Sequence, residues 1–399
     1  MAQCLDRIIA SMDTGVDDAL ALAYLLGSAD ECELSGVIAS YGNVDANTAY
    51  ANTRAVLDLF GRADIPVFLG SEHPSWADAF IPDAGCAQFH GDDGLGNTWL
   101  AGSGALADRA GVPGDMSGDD MSVDVPDGVV SVGGYLAGDV HAHPALGSYP
   151  RVGRSRSVDR PQSATSTALV SGGTRRCSVD AADGIEYLIE QVREFGRDVT
   201  VLSTGPLTDV DAAITRAPDI ASKLRLVMMG GTLTQPGNCW DAVAETNIIQ
   251  DPEAANRVFH SGADITMVGL DVTHQCLLTR SAADRWRATG TKRGRFLADL
   301  ADFSIKANLE ADTALFSGGM PLHDPLAAAV ALDSSLVDCF DLALRAETNT
   351  GDFNGVRGRT TGDPVGLVNH SMPHVHVALG VDSRRFLDEF AERMAEVCR

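Results

Sequence analysis

The sequence predicts an α/β fold, with one mostly parallel central sheet flanked by helices on both faces. Two observations carry this expectation. Short apolar runs alternate with helix-patterned segments along most of the chain, as a parallel sheet with crossover helices requires. Those runs also end in Asp, Gly, Asn or Thr, and open α/β sheets gather their ligands at the carboxyl ends of their strands. A chain of 399 residues, 45% of them apolar, has ample material for such a core.

The elements follow in order. Ile8-Ile9-Ala10 reads as a buried strand, and a helix is expected over 17–26, where Ala19, Leu20, Leu22, Ala23 and Leu26 form one broad apolar face. A strand over 34–39 ends at Tyr41-Gly42-Asn43, followed by a helix over 47–60 and a short strand over 66–69. The pattern resumes with a helix over 184–195 and strands over 199–202 and 224–229, the latter closing on Gly230-Gly231. Asp251-Pro252-Glu253 is a helix start, with Asp able to cap and Pro at the first helical position. A strand over 265–270 is expected to end at Asp271, and the chain closes with a strand over 374–379 and a helix over 383–398. Residues from about 103 to 178 break the alternation. They are rich in Gly, Ser, Asp and Arg, lack periodicity, and read as a long irregular insertion, expected to be mobile.

The balance of 55 acidic against 30 basic residues gives a net charge of -25, which argues against polyanionic partners: no nucleic acid and no membrane. Lysine occurs only at Lys223, Lys292 and Lys306, consistent with a GC-rich coding sequence or with adaptation to high salt. The eight cysteines include no CxxC pair and read as reduced thiols rather than a zinc site. The opening MAQCLDRIIA runs at once into strand-like sequence, so a cytoplasmic location is expected.

The chemistry is concentrated in Asp13-Thr14-Gly15-Val16-Asp17-Asp18, directly after the first strand. Carboxylates this close repel one another unless a cation or protons sit among them, and hard divalent cations take all-oxygen shells of this kind. Three later segments fall at comparable places. Thr204 follows the strand over 199–202, Glu245-Thr246-Asn247 precedes the Asp251-Pro252 helix, and His323-Asp324 heads an apolar helix. Asp17-Asp18 alone would equally suit a helix N-terminus, where acidic residues favour the dipole.

Taken in chain order, these segments resemble the inosine-uridine-preferring nucleoside hydrolases, which cut the N-glycosidic bond of ribonucleosides with water. Ser11 to Leu22 matches that family's DxDPGxDDAxAL, Gly42-Asn43-Val44 its GN turn, and His90 to Asn97 its HGxxGLGG-like loop. Thr204 to Asp209 resembles TGPLTN, Met229 to Ala255 resembles MGG…GN…AEFNxxxDPEAA, Gly269 to Gln275 matches GLDVTxQ, and His323 to Ala327 matches HDPLA. The resemblance covers everything except the insertion and implies a single nucleoside-hydrolase-like domain over 1–399.

It also implies roles. Asp13, Asp18 and Asp324, with the Thr204 carbonyl, would hold a calcium ion (Ca2+), and Asp13 would be the catalytic base for the attacking water. Asp17, Asn43, Glu245 and Asn247 would bind the ribose hydroxyls of a small-molecule ribonucleoside. His90 and His323 would face the base, His323 as the acid or polar partner of the leaving group. A homodimer or homotetramer is implied as well.

The match departs from the pattern in places. Ser11 stands where the family has the first Asp of DxD, keeping a hydrogen-bonding group but losing a negative charge, so weaker metal affinity is expected. Thr14 replaces a proline, and the stretch from Asn238 to Glu245 is one residue longer than usual, with Trp240 in the gap. Ser11 and the insertion motivate a second reading, a non-catalytic nucleoside- or calcium-binding relative, although Asp13 and Asp324 are both retained. A haloacid-dehalogenase-type phosphatase would need two Asp residues where this chain has Ser11 and Asp13.

Overall fold

The computed structural model describes residues 5–82, 84–98, 183–239, 243–350 and 354–399. The insertion expected over 103–178 and Trp240 lie outside them. The central sheet has eight strands: β1 (Asp6–Met12), β2 (Cys32–Ala39), β3 (Val67–Leu69), β4 (Val199–Ser203), β5 (Arg225–Met229), β6 (Asp264–Val268), β9 (Val337–Leu342) and β12 (Val375–Val381). Their order is β3-β2-β1-β4-β5-β6-β12-β9, parallel throughout except for the antiparallel β12–β9 edge pair. Two small ribbons, β7 (Leu277–Leu278) with β8 (Met320–Pro321) and β10 (Leu344–Ala346) with β11 (Thr360–Gly362), lie outside this sheet.

Apolar side chains on both sides of the strands dictate two cores. On β1, Ile8, Ala10 and Met12 face one core and Ile9 faces the other, the period-two alternation of a strand buried on both faces. The first core is covered by α1 (Val16–Leu26), α2 (Ala46–Leu59), α9 (Arg280–Ala288), α10 (Lys292–Ala311), α11 (His323–Leu332) and α13 (Ser383–Val397). The second is covered by α4 (Gly184–Phe195), α5 (Thr208–Arg216) and α7 (Pro252–Phe259). Shorter helices α3 (Ala84–His90), α6 (Thr246–Gln250), α8 (Leu270–Thr273) and α12 (Pro364–Val368) sit in the connections.

The expected alternation holds, and so does the cap at α7, where the Asp251 carboxylate accepts the Ala254 amide ahead of Pro252. One boundary differs. The strand expected to reach 270 stops at Val268, and Leu270 and Asp271 belong to α8, which is capped at Gly269. Asp271 does not order a strand end. Its carboxylate accepts the amides of Leu233 and Thr234 and the Thr234 hydroxyl, fixing the loop after β5. Among the described residues no helix is long and apolar enough to cross a membrane.

Candidate active site

Every residue singled out by sequence lies just beyond the carboxyl end of a parallel strand or at the end of a helix beside it. Asp13 follows β1, and Asp17 and Asp18 occupy the first turn of α1. Asn43 lies in the turn after β2, His90 ends α3, and Thr204 follows β4. Glu245 caps α6, Asn247 lies within it, and His323 and Asp324 form the first turn of α11.

Four carboxylates converge here. Asp13 and Asp18 are wholly buried, Asp324 nearly so, and Asp17 partly. One oxygen each from Asp17, Asp18 and Asp324 lies within 4.8 Å of the others. Asp13 stands beside this triplet, and burial first, then the Asp18 and Asp17 charges, push its own carboxyl up. Sequence reasoning placed Asp13 in the metal set and Asp17 with the sugar, whereas the closest triplet contains Asp17. After burial, the Asp17 charge is the largest influence pushing the Asp324 carboxyl up.

Each carboxylate is fixed by local hydrogen bonds. Asp13 Oδ2 accepts the Asn43 amide at 2.6 Å, and a Cβ at Gly42 would fall 1.9 Å from that oxygen, so only glycine admits this approach. Asp18 Oδ2 accepts the Gly15 amide at 2.8 Å, closing the first turn of α1, and the Asn43 side-chain amide at 3.3 Å. Its Oδ1 accepts the Thr204 hydroxyl at 2.6 Å. Asp18 is thus a helix cap and a site residue at once.

The donor set fits a hard divalent cation. Asp13 Oδ1 and Asp17 Oδ1 are buried without a hydrogen-bond partner among the described residues. The protein's own cations do not compensate the cluster: among the described residues the one basic side chain set against it is His90, whose Nδ1 lies 3.7 Å from Asp17 Oδ1. Burial pushes Asp17 and Asp18 up to about 6, and burial together with the neighbouring carboxylates raises Asp13 and Asp324 well above their ordinary value. Mutually repelling, desolvated oxygens of this kind are what a calcium-type ion binds.

Glu245 and Asn247 are held by backbone. The Glu245 carboxylate accepts the amides of Gly231, Asn247 and Ile248, and burial pushes it up to about 7. The Asn247 side-chain amide donates to the Thr204 carbonyl at 2.7 Å and the Met229 carbonyl at 3.2 Å. The Thr204 carbonyl, read as a metal ligand from sequence, therefore already accepts one hydrogen bond, leaving its second lone pair.

Histidines gather at the same edge. His90 Nδ1 accepts the Val16 amide at 3.2 Å, so its proton resides on Nε2, and burial holds the ring at about 4. His323 Nδ1 lies 2.8 Å from the Thr273 hydroxyl. Its ring centroid is 5.7 Å from that of His274, a residue sequence reasoning passed over. His274 occupies the variable place in GLDVTxQ, so nothing local marks it. Burial lowers His274 to about 4 and His323 well below its ordinary value, with the neighbouring rings adding to the effect on His323.

The chain is similar to known proteins along nearly its whole length. Residues 8–388 match the inosine-uridine preferring nucleoside hydrolase family. The pyrimidine-specific ribonucleoside hydrolase RihA of Enterobacter sp. (strain 638) is 30% identical over 98% of this chain and 97% of its own. The purine-preferring ribonucleoside hydrolase from Gardnerella vaginalis superposes with a TM-score of 0.74 at 34% identity, covering 98% of this chain and 99% of that one. A plant nucleoside hydrolase superposes with a TM-score of 0.72 at 26% identity over the same shares.

Proposed function

The chain belongs to the inosine-uridine preferring nucleoside hydrolase family and hydrolyses the N-glycosidic bond of ribonucleosides, and we propose that it does so with calcium, using Asp13 as base. The observation that carries this reading is the buried cluster of Asp13, Asp17, Asp18 and Asp324, with oxygens of Asp13 and Asp17 lacking a partner among the described residues. Asp13, Asp18, Asp324 and the Thr204 carbonyl would hold the ion, with Asp17 at its edge, shared with the sugar. Calcium bound there would orient the attacking water and modestly lower its pKa.

The remaining work falls to the protein's own groups. Asp13, held by the Asn43 amide through Oδ2 and with Oδ1 free of any partner among the described residues, takes the proton from the water as the water attacks the anomeric carbon. Asp17, Asn43, Glu245 and Asn247 hydrogen-bond the ribose hydroxyls. They favour the flattened, cationic sugar of an oxocarbenium-like transition state, beside which the carboxylate cluster supplies negative potential. His323 and His90, neutral at pH 7, are polar partners for the departing base. A neutral His323 donates a hydrogen bond from its N–H rather than acting as an imidazolium.

The test is ribose release from inosine, uridine, cytidine and adenosine, in low and high salt, with and without a calcium chelator. Purines and pyrimidines both belong in it, because the Enterobacter relative is named pyrimidine-specific and the Gardnerella one purine-preferring. Chelator-sensitive release restored by calcium is the expected result. Full activity in chelator would remove the metal from the mechanism.

A further inference from the structure

Ser11 carries a consequence that the motif alone does not reveal. It is buried at the end of β1, on the face opposite Met12, and its hydroxyl donates to Asp209 Oδ2 at 2.9 Å. Asp209 is the second residue of α5 and is wholly buried. Its Oδ1 accepts the Ser71 amide at 2.6 Å, and a Cβ at Gly70 would fall 2.4 Å from its Oδ2, so the chain after β3 closes on this carboxylate only because residue 70 is glycine. Asp209 thereby ties the ends of β1 and β3 to the start of α5.

The tie leads to the carboxylate cluster. The Ser11 carbonyl accepts the Thr204 amide at 2.9 Å, and the Thr204 hydroxyl donates to Asp18 at 2.6 Å. Asp13 is two residues beyond Ser11 on the same strand end. In the family pattern quoted above, position 11 is Asp (the first of DxD) and position 209 is Asn (the last of TGPLTN). Here they are Ser and Asp. The pattern thus carries one carboxylate and one neutral hydrogen-bonding side chain at these two positions, and so does this chain, with the carboxylate at 209 rather than 11.

We propose that Asp209 is a positioning residue for this active site: a carboxylate transposed from β1 to α5 that supplies the buried negative charge Ser11 removes and, through Ser11, fixes the strand end bearing Asp13. The proposal rests on the hydrolase site described above. It also revises the expectation of weak metal affinity. A charge displaced by one hydrogen bond still acts on a cation bound at the cluster, and groups hydrogen-bonded behind metal ligands tune affinity through both field and orientation.

The test is a double-mutant cycle with Ser11→Asp, Asp209→Asn and both together, read by thermal unfolding in chelator, by calcium titration calorimetry and by kcat/KM on uridine and inosine. Ser11→Asp alone sets two carboxylates against each other in a buried site and lowers Tm. Asp209→Asn alone removes the charge and weakens calcium binding by roughly tenfold, with kcat/KM following. The double variant restores calcium affinity to within about threefold of wild type, since contacting residues that exchange roles couple strongly. Should either single variant fail to fold while the double variant folds, that rescue is the same result. Additive losses in the double variant, or unchanged calcium affinity in Asp209→Asn, overturn the proposal. The cycle in Tm is read without calcium or substrate, so it decides the exchange even if wild type proves inactive on every nucleoside offered.

Discussion

Asn43 donates its backbone amide to Oδ2 of Asp13 across 2.6 Å, leaving Oδ1 of that buried carboxylate without a hydrogen-bond partner among the described residues. One oxygen is spent on orientation and the other remains for chemistry. Replacing Asp13 with Asn keeps the size of the side chain and removes the base. We expect kcat to fall by about 10²–10⁴-fold. Stability should survive, because a desolvated charge is removed from the core, and Tm in chelator should match or exceed that of wild type. Retention of more than about a tenth of wild-type kcat, outside the range a positioned base supplies, removes Asp13 from that role.

The carboxylate cluster should also leave a signature in the pH dependence of stability. Burial pushes Asp17 and Asp18 up to about 6 and Glu245 up to about 7, with Asp13 and Asp324 raised as well. A carboxyl raised in the folded state binds its proton more tightly there than in the unfolded chain. Its contribution is present below the unfolded pKa and lost as pH rises through the folded value. His90 and His274, held at about 4, and His323, lowered well below its ordinary value by burial, act with the opposite sign. Their contribution is present above the ordinary 6.5 and lost as pH falls toward 4. Between about pH 8 and 6.5 the carboxyls dominate, so in chelator Tm should rise as the pH is lowered. Saturating calcium should raise Tm most at the alkaline end and flatten that slope. A Tm in chelator that falls over the same window contradicts the assigned cluster.

His323 gives a prediction about leaving groups. Its ring is half-buried beside His274 and stays neutral at pH 7, so it can assist departure of the base only by donating a hydrogen bond. On inosine or uridine, whose bases need a proton or a strong donor to leave, His323→Ala should lower kcat by roughly 10²-fold. On p-nitrophenyl riboside, whose phenolate leaves unaided, the loss should stay within about threefold. Equal losses on both substrates would assign His323 to binding or packing.

The parts legible in the sequence were those whose signal is local. Asp13, Asp17 and Asp18 crowd into one turn after an apolar strand, His323-Asp324 heads an apolar helix, and Asp251-Pro252 announces its own cap. The rest depends on meetings between distant segments. His323 meets Thr273 across 50 residues of chain, and Ser11 meets Asp209 across 198, with no spacing rule to predict either contact. The edge strand β9 escaped notice because an antiparallel edge is half solvated, and its exposed run Asp338 to Asp341 mixes two aspartates with Cys339 and Phe340 instead of forming an apolar run. The family resemblance set Asp17 with the sugar and Asp18 with the metal, and adjacent residues on a helix ordinarily point in different directions. The first turn of α1 nonetheless brings both Asp17 and Asp18 to Asp324.

The sugar end of the site yields a final prediction, because its polar groups are fixed by the protein itself. Glu245 is pinned by the amides of Gly231, Asn247 and Ile248, and the Asn247 side chain by the carbonyls of Thr204 and Met229. Side chains so anchored cannot swing to satisfy themselves when a substrate hydroxyl is missing. A site built around hydroxyls rejects the analogue lacking one by about 10⁴-fold, so uridine should exceed 2′-deoxyuridine in kcat/KM by that order. Glu245→Gln tests the anchoring directly, because its new NH2 group would point at backbone N–H donors that need an acceptor. It should cost about 1–3 kcal/mol of stability and narrow the ribose preference together. If Glu245→Gln keeps wild-type Tm and wild-type discrimination, Glu245 neither anchors α6 nor reads the sugar. If it loses Tm alone, Glu245 is only a helix cap, and Asp17, Asn43 and Asn247 must carry the ribose selectivity.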